Sequence, residues 1–515
     1  MRIIFKKKSL SYAYIFCLGI LSSLSLPPYE IFLINFFTFS ALFLFFIKKK
    51  FTLSKTEYFL NGWMFGFGYF TSSLYWITIS LTFDQSFKIL IPVAFLLIPL
   101  FLAIFYGLAM FILYFFKKFS NISLILVFSL TFSIFEFIRG NILSGFPWNL
   151  ISYSFSEFLP LLQILSLIGT YSFNLLCITL FVLPSFFYLK KSRQNLYFVF
   201  SFVLLLISGI VYGQLKLEQS KDNSFKNNNF IIKIISPKIG IERFYNTGNE
   251  EEIIQSLIKL SKPNKEVKTI FIWPEGIFNK TELKNLKKYQ NIFNKKFSNK
   301  HLIILGINNT VNEKTFNSMA VVNYNLDLIE VYNKNNLVPF GEFLPLEMFL
   351  KNLGMKTITN FYNSYSPGKK RNIINLEKHE FDISFLPLIC YEIIYSGKLS
   401  NKNNYDLVIN ISEDGWFGKS IGPHQHFSHS IFRSIEEGKS IIRSTNNGTS
   451  ALIDPYGQIS DTLESTYEGV IEINQIKNPK KTFFSKYGNN MFFYFIFIYI
   501  SLIFFLKTNR EIKIK

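Results

Sequence analysis

Cysteine is scarce, with three in 515 residues. Cys17 and Cys177 lie inside apolar runs, which leaves Cys390 alone in the polar part of the chain and excludes a disulfide framework there. A lone cysteine is either packing or a nucleophile. Acidic residues are also few, 34 against 54 Lys and Arg, for a net charge of +20. Such an excess can mark a nucleic-acid partner, but much of it sits beside apolar runs and reads as membrane topology, with no nucleic-acid face. No small-residue cleavage site follows the first apolar run, so MRIIFKKK and the stretch after it read as an uncleaved anchor. No internal repeat is present.

What the chain has in quantity is apolar surface: 49% hydrophobic residues and 62 Phe, with a mean hydropathy of +0.26. A membrane class follows. A spanning helix needs about 20 mostly apolar residues. Such stretches run from Tyr12 to Leu26, Ile31 to Ile47, Phe59 to Leu81, Ile89 to Phe116, Ile122 to Ile138, Leu159 to Tyr188, Leu196 to Tyr212 and Met491 to Leu506. The Lys and Arg groups at Arg2, Lys6 to Lys8, Lys48 to Lys50, Lys117 and Lys118, Lys190, Lys191, Arg193 and the tail from Lys507 fall at alternate span ends. With the N-terminus in the cytoplasm, all of them face that side. Seven spans then place the polar region outside the cytoplasm. The expected organisation is seven spans in 1–214, a polar domain in 215–488, and a last span with a cytoplasmic tail in 489–515.

The polar region alternates β-branched runs with amphipathic stretches. FIIKIIS from 230, TIFIW from 269, HLIILG from 301, SMAVVNY from 318, FDISFLPLIC from 381, DLVINIS from 406 and SIIRST from 440 read as strands. Helices are expected over 248–261, with Thr247 and Glu250 as a capping box, and from Pro423 to Lys439. The alternation predicts an α/β layered domain with one core.

Three polar groups stand at expected strand ends, where loops lift side chains out of a sheet. Glu275 lies in WPEG, Lys334 in YNKNNLVPFGEFLP, and Cys390 closes FLPLIC. A thiol with an ordinary pKa near 8.5 needs a base and a nearby cation, roles open to Glu275 and Lys334. The ammonium would also stabilise an oxyanion, helped by the backbone N–H of Tyr391. Each has a bland reading as packing, cap or surface charge. His424, His426 and His429 form a cluster, but without an HExxH-type spacing they carry no metal expectation. Glu136 and Arg139, near membrane depth, read as a structural lock or as functional groups.

The segments WPEG, YNKNNLVPFGEFLP, ICYE, NISEDGWFGKSIGPHQHF and RSTNNGTSALIDPYG resemble the nitrilase superfamily. More narrowly, with several spans before the domain and one after, the chain resembles the apolipoprotein N-acyltransferase family. The resemblance implies a nitrilase-like αββα sandwich joined to an α-helical transmembrane bundle of about eight spans, in a bacterial inner membrane with the domain facing the periplasm. It implies Glu275 as general base, Lys334 as oxyanion stabiliser and Cys390 as nucleophile, with Glu342 and Glu392 orienting Lys334 and tuning the site. No cofactor is implied. The implied reaction is ping-pong transfer of an acyl chain from a phospholipid, typically phosphatidylethanolamine, through a thioester to the α-amine of a diacylglyceryl-cysteine on an apolipoprotein. Departures at Ser412-Glu413-Asp414 and Ser236-Pro237-Lys238 are expected to affect substrate contacts more than chemistry.

Two apolar features remain. After Glu342, Leu346, Phe349, Leu350 and Leu353 recur at helical spacing, which suits either a lipid-interface element or packing on the domain's own core. Trp416 and Phe417 between glycines read as a loop tip that contacts lipid. Two other functions fit parts of the chain: a tethered nitrilase-type amidase using water as acceptor, and a transporter with a non-catalytic outer domain. Against the transporter, no paired broken helices mark a midplane site.

Overall fold

The computed structural model describes residues 8–189, 192–221, 225–245, 249–352, 357, 364–399 and 404–506, without the side chains of 225–228, 279 and 349–351. Thr247 and Leu353, and the side chains of Phe349 and Leu350, therefore lie outside the described residues. The chain divides into two units, one of Met1–Thr78, Ser86–Glu218 and Phe483–Lys515, the other of Ile79–Gln85 and Gln219–Thr482.

The first unit is helical, and every apolar stretch expected from the sequence carries a helix: Lys8–Ser23, Leu33–Lys49, Lys55–Leu74, Ile91–Leu113, Asn121–Arg139, Leu165–Val182, Arg193–Gln219 and Asn490–Phe505. Four helices, Gln85–Phe116 (its ends 3-10), Asn121–Arg139, Leu165–Phe187 and Arg193–Gln219, are long and apolar enough to cross a membrane, and Asn490–Phe505 is a shorter apolar helix. Helices in lipid associate by close packing, which small residues permit. Gly19 and Gly68 meet this need reciprocally, since a Cβ on Gly19 would fall 2.0 Å from the carbonyl oxygen of Phe65 and one on Gly68 would fall 2.1 Å from that of Phe16. Glu136 and Arg139 are buried 4.0 Å apart. Neutral partners surround them: Tyr106 donates to Glu136 at 2.7 Å, as does Asn174, and Arg139 donates through Nη1 to Asn149 and to the carbonyl of Phe146.

The second unit contains two sheets. The first is built from β1 (Phe225–Ser236), β2 (Thr269–Ile272), β3 (Phe278–Glu282), β4 (His301–Val311), β5 (Lys314–Asn323) and β6 (Leu328–Asn333), joined at its edge by the last strand of the unit. The second holds β7 (Ile374–Asn375), β8 (Ser384–Ile389), β9 (Leu407–Glu413), β10 (Ser440–Asn446), β11 (Ser450–Ile453) and β12 (Ile459–Leu463). β13 (Gly469–Lys477) returns to pair antiparallel with β1. The central pairs β1–β2, β2–β4, β8–β9 and β9–β10 are parallel, and their continuous Ile, Leu and Val runs are what strands buried on both faces require. Ser444 on β10 donates to the carbonyls of Ile235 and Ile272 at 3.0 and 3.1 Å, joining the two sheets.

Outside the first sheet, the helix Glu250–Ser261 buries Ile254, Leu257 and Ile258 against Phe271, Trp273 and Phe293. Its N-cap is Asn249, which accepts from the N–H of Glu251. Glu250, expected to form a capping box with Thr247, is buried and accepts from Tyr289 at 2.7 Å. The second expected helix spans Gly422–Glu437.

Candidate active site

The residues just past β2, β6 and β8 converge with Glu413, the last residue of β9. Trp273 still bonds to β4, but Pro274 has no N–H to donate, so the ladder ends there. Gly276 turns the chain with φ +67°. β4 passes so closely that a Cβ on Gly306 would lie 2.7 Å from the Cα of Glu275. Lys334 follows β6 directly, its N–H donating to Asn317 at 2.8 Å and its carbonyl accepting from Gly368 at 2.7 Å. Cys390 follows β8 directly and takes φ +49°, a left-handed value that non-glycine residues seldom adopt and that clusters at active sites.

The side chains close into one cluster. Lys334 Nζ lies 2.9 Å from Glu342 Oε1 and 3.5 Å from Glu275 Oε1. Asn317 donates to both of those oxygens at 2.7 Å. Glu275 Oε2 accepts from the N–H of Glu413 at 3.0 Å, and Glu342 Oε2 from that of Val338 at 2.8 Å. All of these side chains are buried.

Burial sets the proton affinities. It raises the Glu275 carboxyl above its ordinary value, with Lys334 pulling down and Glu342 pushing further up. Burial works against the Lys334 ammonium, but Glu342 and Glu275 outweigh it and hold the group well above the usual lysine range. Burial and then the charge of Glu275 push the Cys390 thiol up, with Lys334 opposing. These directions favour a protonated sulfur and a charged lysine beside a carboxyl of raised proton affinity, a set that can serve general-base activation of a nucleophile.

Glu392 does not touch Lys334. Its Oε1 accepts from Tyr332 at 2.6 Å, from the N–H groups of Asn335 and Asn336 at 2.9 and 3.1 Å and from Arg371 at 2.9 Å. Its Oε2 accepts from the N–H of Ile389 at 2.9 Å. It thus holds the chain just after Lys334 to the chain just before Cys390. Burial opposes its ionisation, but Arg371 and these donors lower it below the usual carboxylate value. The Tyr391 ring packs edge-on against Tyr395 at 5.6 Å. Trp416 is half-buried against Phe83, Phe244 and Tyr245, and Phe417 lies against the His426 ring, so neither forms a bare loop tip. After Glu342, Leu346 and Met348 are exposed.

The three histidines do not converge as ligands. His424 is exposed, and among the described residues the group of potential metal donors is Cys390, Asp414 and His426, within 4.8 Å of one another. Asp414 is already occupied by Ser412 at 2.7 Å, His426 at 2.9 Å and Arg443 at 2.8 Å. A metal would have to compete with the Arg443 guanidinium. His426 Nε2 also faces the Cys390 carbonyl at 3.3 Å, and Asn410 donates to it at 3.4 Å.

Comparison with known proteins adds sequence to geometry. A family model for the apolipoprotein N-acyltransferase N-terminal domain matches residues 18–183, and one for carbon-nitrogen hydrolases matches residues 284–476. The apolipoprotein N-acyltransferase of Rickettsia prowazekii (strain Madrid E) is 34% identical over 489 residues, covering 92% of this chain and 93% of its own. The chain belongs to the apolipoprotein N-acyltransferase family. The family member from Brucella melitensis biotype 1 is 27% identical over 92% of this chain and 90% of its own. A solved CN-hydrolase superfamily protein from Xanthomonas campestris covers 49% of this chain and 91% of its own at 14% identity and a TM-score of 0.35, a score that adds nothing to the two sheets already described. The hydrolase match includes Lys334 and Cys390 but begins after Glu275. At Glu275 the structure shows contacts with Lys334, Asn317 and Glu413.

Sequence reasoning missed Asn317, Arg371 and the Asp414–His426–Arg443 group, whose partners are distant in the chain. The one available signal was the departure at Ser412-Glu413-Asp414. It is not confined to substrate contacts, because the N–H of Glu413 binds the Glu275 carboxylate directly.

Proposed function

We propose that this acyltransferase family member moves an acyl chain from phosphatidylethanolamine to the α-amine of the diacylglyceryl-cysteine at an apolipoprotein N-terminus, through a thioester on Cys390. The observation that carries this reading is the Lys334 ammonium held between the carboxylates of Glu275 and Glu342, beside a buried cysteine on a left-handed elbow.

In the first half-reaction Glu275 takes the thiol proton as the sulfur attacks the ester carbonyl. Lys334 stabilises the oxyanion. Collapse expels the lysophospholipid alkoxide, which takes the proton back from Glu275 and leaves the acyl group on sulfur. In the second, the acceptor amine attacks the thioester, Glu275 removes its proton, and the Cys390 thiolate leaves and is reprotonated. Thioesters react readily with amines, which suits an amide product.

In this reading eight spans form a transmembrane bundle around an αββα domain on the periplasmic side of the inner membrane, divided as 1–214, 215–488 and 489–515. Trp416, Phe417, Phe349 and Leu350 contact lipid, a role supported for the last two by the exposure of the neighbouring Leu346 (80%) and Met348 (83%). Incubating the purified protein with phosphatidylethanolamine and no acceptor is expected to add one acyl mass, labile to hydroxylamine and absent in Cys390→Ala. A diacylated lipopeptide then discharges it. No adduct, with hydrolysis of small amides instead, makes the domain an amidase.

A further inference from the structure

We infer that Arg243 and Glu413 form a positioning pair that aims the Glu275 carboxylate at Cys390. Four links close a ring. Glu413, the last residue of β9, donates its N–H to Glu275 Oε2 at 3.0 Å. Its own carboxylate accepts from Arg243. Arg243, on the 3-10 turn Ile241–Phe244 after β1, donates through Nε to the carbonyl of Gly276 at 3.3 Å. Gly276 is the residue after Glu275. One guanidinium thus grips both the backbone that carries the base and the residue that binds its carboxylate.

A buried carboxylate needs a counter-charge wherever it lies, and that need alone would make the pair an ordinary structural ion pair. The ring gives it a direction, because its members belong to different sheets and Glu275 lies at their junction. Glu413 is further fixed by Asn446 at 2.6 Å, and Asn446 accepts from the N–H of Ile239 at 2.7 Å. Both side chains of the pair are at most 5% exposed.

Charge arithmetic gives the pair a signature that packing lacks. Glu275 faces Lys334 and Glu342 from beyond β6, Tyr365, Cys390 from beyond β8 and Glu413 from β9. The opposite charges of the paired Arg243 and Glu413 offset each other at Glu275, whose carboxyl answers to the charges of Lys334 and Glu342. Arg243→Met leaves an uncompensated anion near the base and moves the acid limb of acylation to higher pH, by about one unit. Glu413→Gln leaves an uncompensated cation and moves the limb to lower pH. The double variant cancels again.

The test rests on the acylation of Cys390 proposed above and uses the full-length protein with phosphatidylethanolamine vesicles, reading single-turnover acyl adduct by intact mass from pH 4 to 9 (~0.5-unit steps, enough to resolve a shift of about one unit). Absence of an adduct in the unsubstituted protein overturns the thioester reading itself. With that adduct present, the pair predicts opposite shifts in the two single variants, return of the limb in the double variant, and an acylation rate about 100-fold lower in Arg243→Met, the scale of a 1 Å misplacement. Unshifted limbs, or shifts of the same sign, overturn the pair's role. If Arg243→Met does not accumulate, Arg243→Lys and Glu413→Gln decide: a retained limb in the first with a lowered limb in the second supports the pair, and any other combination overturns it.

Discussion

Adding one methyl group at Gly306 is expected to disable acylation while leaving the fold in place. Gly306 sits on β4 opposite Met319 of β5 and has no positive φ, so alanine meets no backbone penalty of its own. Its Cβ would lie 2.7 Å from Glu275 Cα, 2.8 Å from Gly276 N and 3.0 Å from the Pro274 carbonyl oxygen, all backbone atoms that no rotamer change relieves. Ordinary contact begins at 3.4 Å, so the 274–276 segment must retreat by about 0.7 Å, since β4 is held by neighbours on both sides. That displaces Glu275 relative to Lys334 and Cys390, and a displacement near 1 Å at a reacting group costs about 100-fold in rate, or roughly 2.7 kcal/mol of barrier. Single-turnover acylation by intact mass measures it, with thermal unfolding in parallel. Gly341→Ala is the control, since the atoms nearest its Cβ would all belong to Val338, the first a side-chain methyl at 3.1 Å. A Gly306→Ala rate within threefold of the unsubstituted protein, by the same conversion of rate to barrier (roughly 0.65 kcal/mol), refutes the close-approach argument.

Two further outcomes follow from the buried charges. Glu392→Ala strands Arg371 without its counter-ion and is expected to destabilise the α/β domain by about 3–5 kcal/mol, read as a lowered unfolding temperature, whether or not substrate is present. Because the folded Glu392 carboxyl lies below its ordinary 4.5, its contribution is complete above that value and fades as pH falls through the depressed one; Glu392→Gln is expected to flatten stability over that acid window, and an unchanged acid slope counts against the clamp. For Glu275 the sign is reversed: its raised value places the acid limb of acylation above the ordinary carboxylate range, and a limb at or below 4.5 contradicts the burial argument.

The sequence showed most of the second unit's interior and little of its edges. FIIKIIS, TIFIW, HLIILG and DLVINIS are continuous apolar runs and became β1, β2, β4 and β9. β12, with Ile459, Ser460, Asp461 and Thr462 exposed, and the half-exposed β13 carry no such run, because an edge strand is defined by its partner's hydrogen bonds as much as by its own side chains. FDISFLPLIC was read as strand to its end, but pairing stops at Ile389, which frees Cys390 for its elbow. Within the site, Glu275, Lys334, Cys390 and Glu342 were legible as motif residues. Asn317 was not, since one amide bonding two carboxylates 42 and 25 residues away leaves no local pattern.

The seven residues Ile79–Gln85 carry a consequence for how the molecule is made. They precede the rest of the second unit by more than 130 residues, yet they group with it, Phe83 lying 6.1 Å from the Trp416 ring. A ribosome therefore finishes this piece long before Trp416 exists. The α/β domain must close around an element already synthesised, and a fragment that starts at Gln219 would leave Trp416 with Phe244 and Tyr245 but without Phe83. The second unit is not a separable cassette, and its completion follows that of the first seven long helices but precedes that of Asn490–Phe505 in time.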